Sequence, residues 1–200
     1  MASIVVAGDT SGSVTIAAPA VAGSSTLTLP TGTGTFSVNG ASTNIVTGTA
    51  QNSTSGTTIT FTGIPSWAKR ITVLFNGVST SGGSDLLIQI GSGSLTTTGY
   101  LGASTSTVGA TVGSTNYTTG FGLRAGGTAL GAIIRHGSCT ICTLGSNIWV
   151  ESGVFAHSNE AANFYSAGSV TLSGALDRVA FTTVNGTDTF DAGSINILYE

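Results

Sequence analysis

Four side chains of metal-binding type lie close together in the sequence, at His136, Cys139, Cys142 and His157. Structural zinc requires four such side chains to converge in a tetrahedron. On an extended strand, residues 136, 139 and 142 alternate between the two faces, so a tight turn at residues 137–138 would have to intervene. We therefore interpret the two cysteines as small buried or half-buried hydrophobic side chains, and we predict no metal and no cofactor.

Paired carboxylates form a second constellation, because glycoside cleavage uses two Asp or Glu side chains. Glu151 and Glu160 flank a segment that contains Phe155 and His157. Three further acids cluster later in the chain, at Asp177, Asp188 and Asp191. We interpret these Asp residues as turn residues that accept hydrogen bonds from nearby backbone N–H groups. The sequence contains no nucleophile motif and no phosphate-binding loop, and we predict no catalytic residues.

Aromatic rings among neutral hydrogen-bonding side chains are the third candidate, since carbohydrate recognition uses both. The candidate ligand or interface aromatics are Trp67, Trp149 and Tyr165. On a strand, Trp149 shares one face with residues 147 and 151, and we expect it to point outward or into a subunit interface. Packing in a core or an interface is the alternative for each of these rings.

Charge is scarce throughout the chain that carries these residues. Five Lys or Arg and eight Asp or Glu in 200 residues make it 6% charged, with a net charge of −3, whereas a typical domain is about a quarter charged. Without a basic field, nucleic-acid binding by counterion release and polybasic attachment to a membrane are both excluded. The sequence has no run of about 18 apolar residues, so we predict no membrane insertion. With 40% hydrophobic residues, the chain can bury a core and is not of the disordered class.

The elements that must position the candidate residues are strands, because Gly, Ser, Thr, Val and Ile dominate and good helix formers are few. From Thr58 onward, eight to ten short apolar–polar alternations predict an antiparallel β-sandwich, with a jelly roll as first choice. Residues 185–186, Asn-Gly, predict a type I′ turn. Residues 91–115 are nearly all Ser, Thr, Gly, Ala and Val, and we predict a long loop there that is functional or lies against a partner.

The first fifty residues differ from the rest, since Asp9 is their only charged side chain. Short alternations at residues 13–16 and 26–29 are each followed by a proline, and such strands bury little by themselves. Residues 39–57 are small and polar, which is typical of a linker or boundary loop. The start, MASIVVAGD, does not have the pattern of a secretory signal, and we expect folding in a cytoplasm.

Three segments resemble known proteins: SGSVTIAAPAVAGSSTLTLPTGTGT near the start, ITFTGIPSWAKRITVLFNGVSTSGGSDLLIQIGSG in the interior, and FDAGSINILYE at the end. The first is similar to a segment near the start of tail-fibre and other virion proteins of tailed bacteriophages. The other two resemble the first and last strands of a β-rich domain in phage and prophage fibre proteins. The resemblance implies a virion structural protein, a homotrimer made in the host bacterial cytoplasm. Residues 1–50 would dock to other virion proteins, and residues 51–200 would form the displayed β-sandwich.

The main functional hypothesis is therefore a tail fibre or capsid-decorating fibre that is not an enzyme and that contacts the host surface, with a host glycan as a further partner. One alternative is a carbohydrate-binding adhesin or receptor-binding domain. A lesser alternative is a capsule-degrading virion enzyme, which would depend on Glu151 or Glu160.

Overall fold

The computed structural model describes residues 3–7, 13–17, 45–124 and 133–200, and every regular element in these ranges is a β-strand. The chain divides into two compact units, residues 1–42 and residues 43–200. The described part of the first unit is an antiparallel pair, β1 (Ser3–Ala7) with β2 (Ser13–Ala17). The strand expected at residues 26–29 lies outside the described residues. No helix in the described ranges is long and apolar enough to cross a membrane.

The described part of the second unit contains two antiparallel sheets, which confirms the prediction of an all-β, antiparallel protein. Its strands are β3 (Val46–Thr47), β4 (Gln51–Asn52), β5 (Ile59–Thr62), β6 (Arg70–Thr80), β7 (Leu86–Ser92), β8 (Ser94–Leu95), β9 (Leu101–Val108), β10 (Thr111–Tyr117), β11 (Phe121–Leu123), β12 (Arg135–Gly145), β13 (Ile148–His157), β14 (Ala162–Thr171), β15 (Arg178–Thr183) and β16 (Phe190–Tyr199). The larger sheet has the order β10-β9-β14-β13-β12-β6-β16-β3, with β4 also paired to β16. The smaller sheet has the order β11-β7-β15-β5, with β8 paired to β7.

Eight of these strands pair in a nested order, in which the first pairs with the last. β4 pairs with β16, β5 with β15, β6 with β12, and β7 with β11. Two hairpins, β13–β14 and β9–β10, continue the larger sheet beyond β12. The nested strands therefore contribute to both sheets, and the two hairpins extend the larger sheet on one side.

A single buried cluster joins the two sheets. The larger sheet contributes Ile71, Val73 and Phe155, and the smaller sheet contributes Ile88 and Val179. On β6 the buried residues alternate with outward Thr72 and Leu74, which confirms the alternation that predicted this strand. Because apolar burial is the dominant favourable contribution to folding, this shared cluster holds the two sheets against each other.

Two segments with weak apolar alternation nevertheless form strands. Residues 91–115 contain β8, β9 and most of β10, so the prediction of one long loop is wrong. On β9 the inward positions carry small residues such as Ser104 and Ser106, and pairing with β14 and β10 supplies the backbone hydrogen bonds. Within residues 39–57, β3 and β4 pair with β16. The role of residues 1–50 as a docking arm stays a prediction.

The predicted type I′ turn is also wrong. Gly186 has a φ of 68°, but Asn185 does not have a positive φ. Instead, Asn185 Oδ1 accepts hydrogen bonds from the backbone N–H groups of Thr187 at 3.0 Å and Asp188 at 3.2 Å, which makes an Asx turn. A two-residue turn with positive φ at both positions joins β12 to β13 at Ser146 (50°) and Asn147 (60°).

Gly193 in β16 lies against the backbone of Gly77 in β6, where the register of the two strands shifts. Gly193 has a φ of 94°, and a Cβ built there would lie 2.4 Å from the carbonyl group of Gly77. Gly186 has a positive φ but open space around such a Cβ. We expect Gly193→Ala to lower the free energy of unfolding by about 2 kcal/mol more than Gly186→Ala, because only the first substitution overpacks the backbone. Urea denaturation of both variants measures this difference, and equal losses would contradict the packing argument.

Candidate functional site

An acidic side chain lies inside the sandwich, on the inner face of the larger sheet. Glu151 is 4% exposed, and Ser166 Oγ donates a hydrogen bond to its Oε1 at 2.8 Å. A Cβ on Gly153 would meet Cys139 Sγ, Ser166 Oγ and Glu151 Oε1, all within 2.8 Å, so this glycine makes room for the carboxyl group. Burial raises the pKa of Glu151 to about 7, while hydrogen bonds from Ser166 and Cys139 oppose the shift. Glu151 is therefore a core residue that is held largely protonated at mildly acidic pH.

Two buried basic residues, His157 and Arg135, lie opposite each other at the far end of β13. His157 stacks on Phe164 with ring centroids 4.2 Å apart, and its Nδ1 lies 3.5 Å from Glu160 Oε2. Burial and the charge of Arg135 lower the pKa of His157 to about 4, against the opposing effect of Glu160. The imidazole is therefore neutral at pH 7.

Arg135 at the start of β12 is a core cation that the sequence reasoning missed. It has no exposed surface, and its guanidinium nitrogens make no hydrogen bond within the described part of the chain. Burial lowers the pKa of Arg135 to about 10, while Asp85 and Asp191 oppose this shift. No signal in the sequence marks Arg135 as buried, since Arg is mostly a surface residue.

The four side chains of metal-binding type are not brought together. Cys139 and His157 face the core, whereas His136 and Cys142 lie on the outer face of the same sheet. The backbone N–H of Gly77 donates to His136 Nδ1 at 3.3 Å. The described residues contain no group of three or more His, Cys, Asp or Glu side chains that could hold a metal ion.

The acidic residues also have separate surroundings. Glu151 lies midway along β13 with Ser166, while Glu160 lies in the connection after β13 with His157. Asp177 binds Arg178 at 2.7 Å and accepts from the N–H of Gly93. The other two acids accept hydrogen bonds as well, Asp188 from the backbone N–H of Ser84 and Asp191 from the hydroxyl of Ser79. Asp177 and Asp188 lie in connections, as predicted for turn residues, whereas Asp191 lies within β16.

The three candidate aromatics lie in three different environments. Trp67, in the connection between β5 and β6, is 52% exposed and packs against Tyr199 with ring centroids 5.7 Å apart. Tyr165 is 54% exposed on the outer face of β14. Trp149 is 5% exposed and faces inward with Glu151, so the expectation that it points outward is wrong. The role of each ring as a ligand or interface contact stays a prediction.

A pocket of about 220 Å³, here called the end pocket, opens where the strands of one end of the sandwich turn. Three connections and two strands, β12 and β13, line it, including Lys69, Thr143, Ser146, Asn147, Trp149 and Leu176. The lining combines one indole ring, several neutral hydrogen-bonding groups and one cation. This combination is suited to a small polar molecule.

A second groove, here called the seam groove, has a volume of about 390 Å³ and lies between β5 and the strands β3, β4 and β16. Thr47, Thr62 and Tyr199 are among the residues that line it. Gln51 Nε2 donates to the carbonyl oxygen of Thr60 at 2.9 Å, which ties the edges of the two sheets together across the groove. The lining contains no charged side chain.

The outward residues of β6, β12, β13, β14 and β9 form a surface that we call the neutral face. Of these outward residues, all within the described part of the chain, only Arg70 is a Lys, Arg, Asp or Glu, and it pairs with Glu200. Tyr165 lies opposite Val154, which lies opposite Ser138, which in turn lies opposite Leu74. Tyr165, Val154 and Leu74 are all exposed, so an apolar row crosses the centre of this face.

Three surfaces can therefore carry function: the neutral face, the end pocket and the seam groove. The first suits a broad contact with another protein, and the two cavities suit small or extended ligands. Function must be argued from these surfaces, because the chain matches no protein family, no curated protein and no solved structure with which it was compared.

Proposed function

We propose that the protein is a non-enzymatic structural protein of a tailed-bacteriophage particle, a tail fibre or a capsid-decorating fibre. Its second unit is a jelly roll that associates as a homotrimer through the neutral face, and its first residues dock to other virion proteins. The observation that carries the proposal is the neutral face, and the strand order and the three resembling segments add to it.

The strand order supports a jelly roll, the fold of many viral capsid domains, in which eight strands form two sheets through two Greek keys. The nested strands follow the order β4-β16-β6-β12 in one sheet and β5-β15-β7-β11 in the other. This order results when one long antiparallel hairpin is wound into two layers. The hairpins β9–β10 and β13–β14 are additions that widen the larger sheet and enlarge the neutral face.

The chemistry of the neutral face favours contact with further copies of the same chain. A charged side chain loses its hydration when it enters an interface, and this loss can exceed what an ion pair returns. Apart from Arg70, which pairs with Glu200, the face carries no Lys, Arg, Asp or Glu, so most of it avoids this loss and does not repel a second copy of itself. The exposed row of Leu74, Val154 and Tyr165 supplies the apolar contact that an interface centre requires.

The oligomer is tested by measuring the mass of the purified chain in solution. We expect three times the chain mass of 19.7 kDa, and we expect Val154→Lys to shift the protein to the monomer because it places a charge at the centre of the interface. Val184→Lys is a matched control, since Val184 is similarly exposed at 52% but lies outside the neutral face. A monomeric parent protein, or equal dissociation by both variants, would contradict the proposed interface.

The rate at which a thiol reagent modifies Cys142 is a second test of the same interface. Cys142 lies on the neutral face, while Cys139 is buried. In the trimer, a thiol reagent should modify Cys142 slowly. In the Val154→Lys variant the reagent should modify it at a faster rate.

The particle assignment is tested by labelling purified phage particles with antibody against this chain. A chain without residues 1–42 should fold and remain absent from the particles. The deletion ends at residue 42 because Val46–Thr47 pairs with β16. Incorporation of the shortened chain would overturn the docking role of the first residues. If the antibody detected no parent chain in the purified particles, the assignment as a virion protein would be overturned.

A further inference from the structure

We propose that the end pocket binds one acidic sugar unit, a hexuronate, as a free sugar or at the end of a polysaccharide. The sugar ring would occupy the pocket beside Trp149, which lines it. Its hydroxyl groups would bind Ser146 and Asn147, and its carboxylate would bind Lys69. This inference goes beyond the structural role proposed above and does not depend on the oligomeric state.

The walls of the end pocket are held by hydrogen bonds between neighbouring strands and connections. The N–H of Thr143 donates to the carbonyl oxygen of Lys69 at 3.0 Å, and the N–H of Leu172 donates to that of Asn147 at 2.9 Å. Thr143 Oγ1 donates to the carbonyl oxygen of Ile148 at 3.2 Å. Ligand sites are usually formed before the ligand arrives, and these bonds give the end pocket that property.

The turn at one side of the pocket presents polar side chains that the fold does not use. Ser146 and Asn147 both have positive φ, with values of 50° and 60°, a conformation that costs more for these residues than for glycine. Both are exposed, and their side chains make no hydrogen bond within the described part of the chain. Residues in sparsely populated backbone regions cluster at ligand sites, and a hydroxyl beside an amide suits the donors and acceptors of a sugar.

The charge of the pocket selects an acid over a neutral sugar. Lys69 is the only charged residue in the lining, and it forms no ion pair among the described residues. The neighbouring cation, Arg70, is neutralised by Glu200. No carboxylate lies in the lining beside Lys69, so the charge of Lys69 is the only one at an otherwise neutral cavity. Hydrogen bonds to a charged group are stronger than neutral ones, which favours a carboxylate ligand.

The size of the pocket limits the ligand to one ring. Drug-sized ligands occupy cavities of about 300–1,000 Å³, and the end pocket has about 220 Å³. Trp149 is 5% exposed, so it forms a fixed inner wall of the pocket rather than an open face on which the ring stacks. A fixed ring loses little conformational freedom on binding, which favours affinity.

Calorimetric titration of the full chain with glucuronate, glucose and acetate tests the inference. We expect saturable binding of glucuronate, binding of glucose about tenfold weaker because it lacks the charge, and binding of acetate weaker still because it lacks the ring. Equal affinity for glucose would overturn the role of Lys69, and equal affinity for acetate would mean a simple anion site. Absence of saturable glucuronate binding would overturn the inference altogether, without affecting the mass measurement that tests the oligomer.

Three substitutions assign the binding to the end pocket. Lys69→Gln should weaken glucuronate binding about tenfold and leave glucose binding nearly unchanged. Asn147→Gly should weaken both sugars without harming the fold, because glycine accepts positive φ at no steric cost. Arg70→Gln is the matched control, since it removes the same charge one residue away and outside the pocket lining. Equal effects of Lys69→Gln and Arg70→Gln would show that only the overall charge matters and would contradict the site.

Discussion

Replacing Phe155 by alanine is expected to lower the free energy of unfolding by about 3–5 kcal/mol, which is typical of a buried aromatic side chain. Phe155 is 2% exposed. Its ring stacks on Phe164 with centroids 4.8 Å apart and an interplanar angle of 7°, and it meets the edge of Phe75 at 6.0 Å. The three rings belong to three strands of the larger sheet, so the substitution opens a cavity at the centre of the core.

Guanidinium denaturation at fixed protein concentration measures this loss. Val184→Ala is the control, because it shortens an apolar side chain at a position that is 52% exposed and outside the neutral face. We expect that variant to stay within about 0.5 kcal/mol of the parent. A loss of less than about 1 kcal/mol for Phe155→Ala would show that the core collapses around the missing ring or that the packing described is wrong.

Glu151→Gln is expected to stabilise the protein increasingly as the pH rises. Burial raises the pKa of Glu151 from 4.5 to about 7 in the folded protein, so the folded chain holds a proton that the unfolded chain has already released. The stability that protonated Glu151 contributes is complete below pH 4.5 and is lost as the pH rises through 7. The two pKa values correspond to a loss of roughly 3 kcal/mol. Glutamine keeps the shape and a hydrogen-bond acceptor for Ser166 without this loss.

The quantity to measure is the difference in unfolding free energy between Glu151→Gln and the parent, at several values from pH 4 to pH 8. The pH dependence of the parent's unfolding free energy does not isolate Glu151, because the contribution of His157 changes with pH in the opposite direction. The pKa of His157 is lowered from 6.5 to about 4, so its contribution is lost as the pH falls through that range. Subtracting the parent removes this effect and isolates Glu151.

Asp177→Asn is the control for Glu151→Gln, since it neutralises a carboxylate at a partly exposed position. The hydrogen bond from Arg178 holds the pKa of Asp177 below its ordinary value. Asp177 therefore stays ionised above pH 4.5 in both states, and the difference between that variant and the parent should not change with pH there. If the advantage of Glu151→Gln were equally constant, the buried carboxyl group would be ionised in the fold and the argument would fail.

Local sequence patterns predicted those features that depend only on neighbouring residues. Ile71, Val73 and Phe75 recur at every second position, and they form the buried face of a strand, because successive side chains of a strand point to opposite sides. The scarcity of helix formers predicted the all-β class. The patterns failed where they were weak, as in residues 91–115, because strands made of Ser, Thr, Gly and Ala are stabilised by partners elsewhere in the sheet.

The candidate site was less predictable, because the pattern of a strand defines two faces but not which of them meets the other sheet. Trp149 and Glu151 share a face, as predicted, yet that face is the core rather than the outside. The end pocket joins Lys69 to Asn147, which are far apart in the sequence. The spacing of residues within one segment could not reveal that Lys69 and Asn147 line the same pocket.

By itself, the sequence determined the strand-rich class and the low charge, since these follow from residue types and their local alternation. Only the tertiary structure decided the nested strand order, the burial of Arg135 and Glu151, the neutral face and the end pocket. Each of these depends on the register between strands distant in the sequence. That register is set by the burial of apolar surface across the whole domain rather than by any one segment.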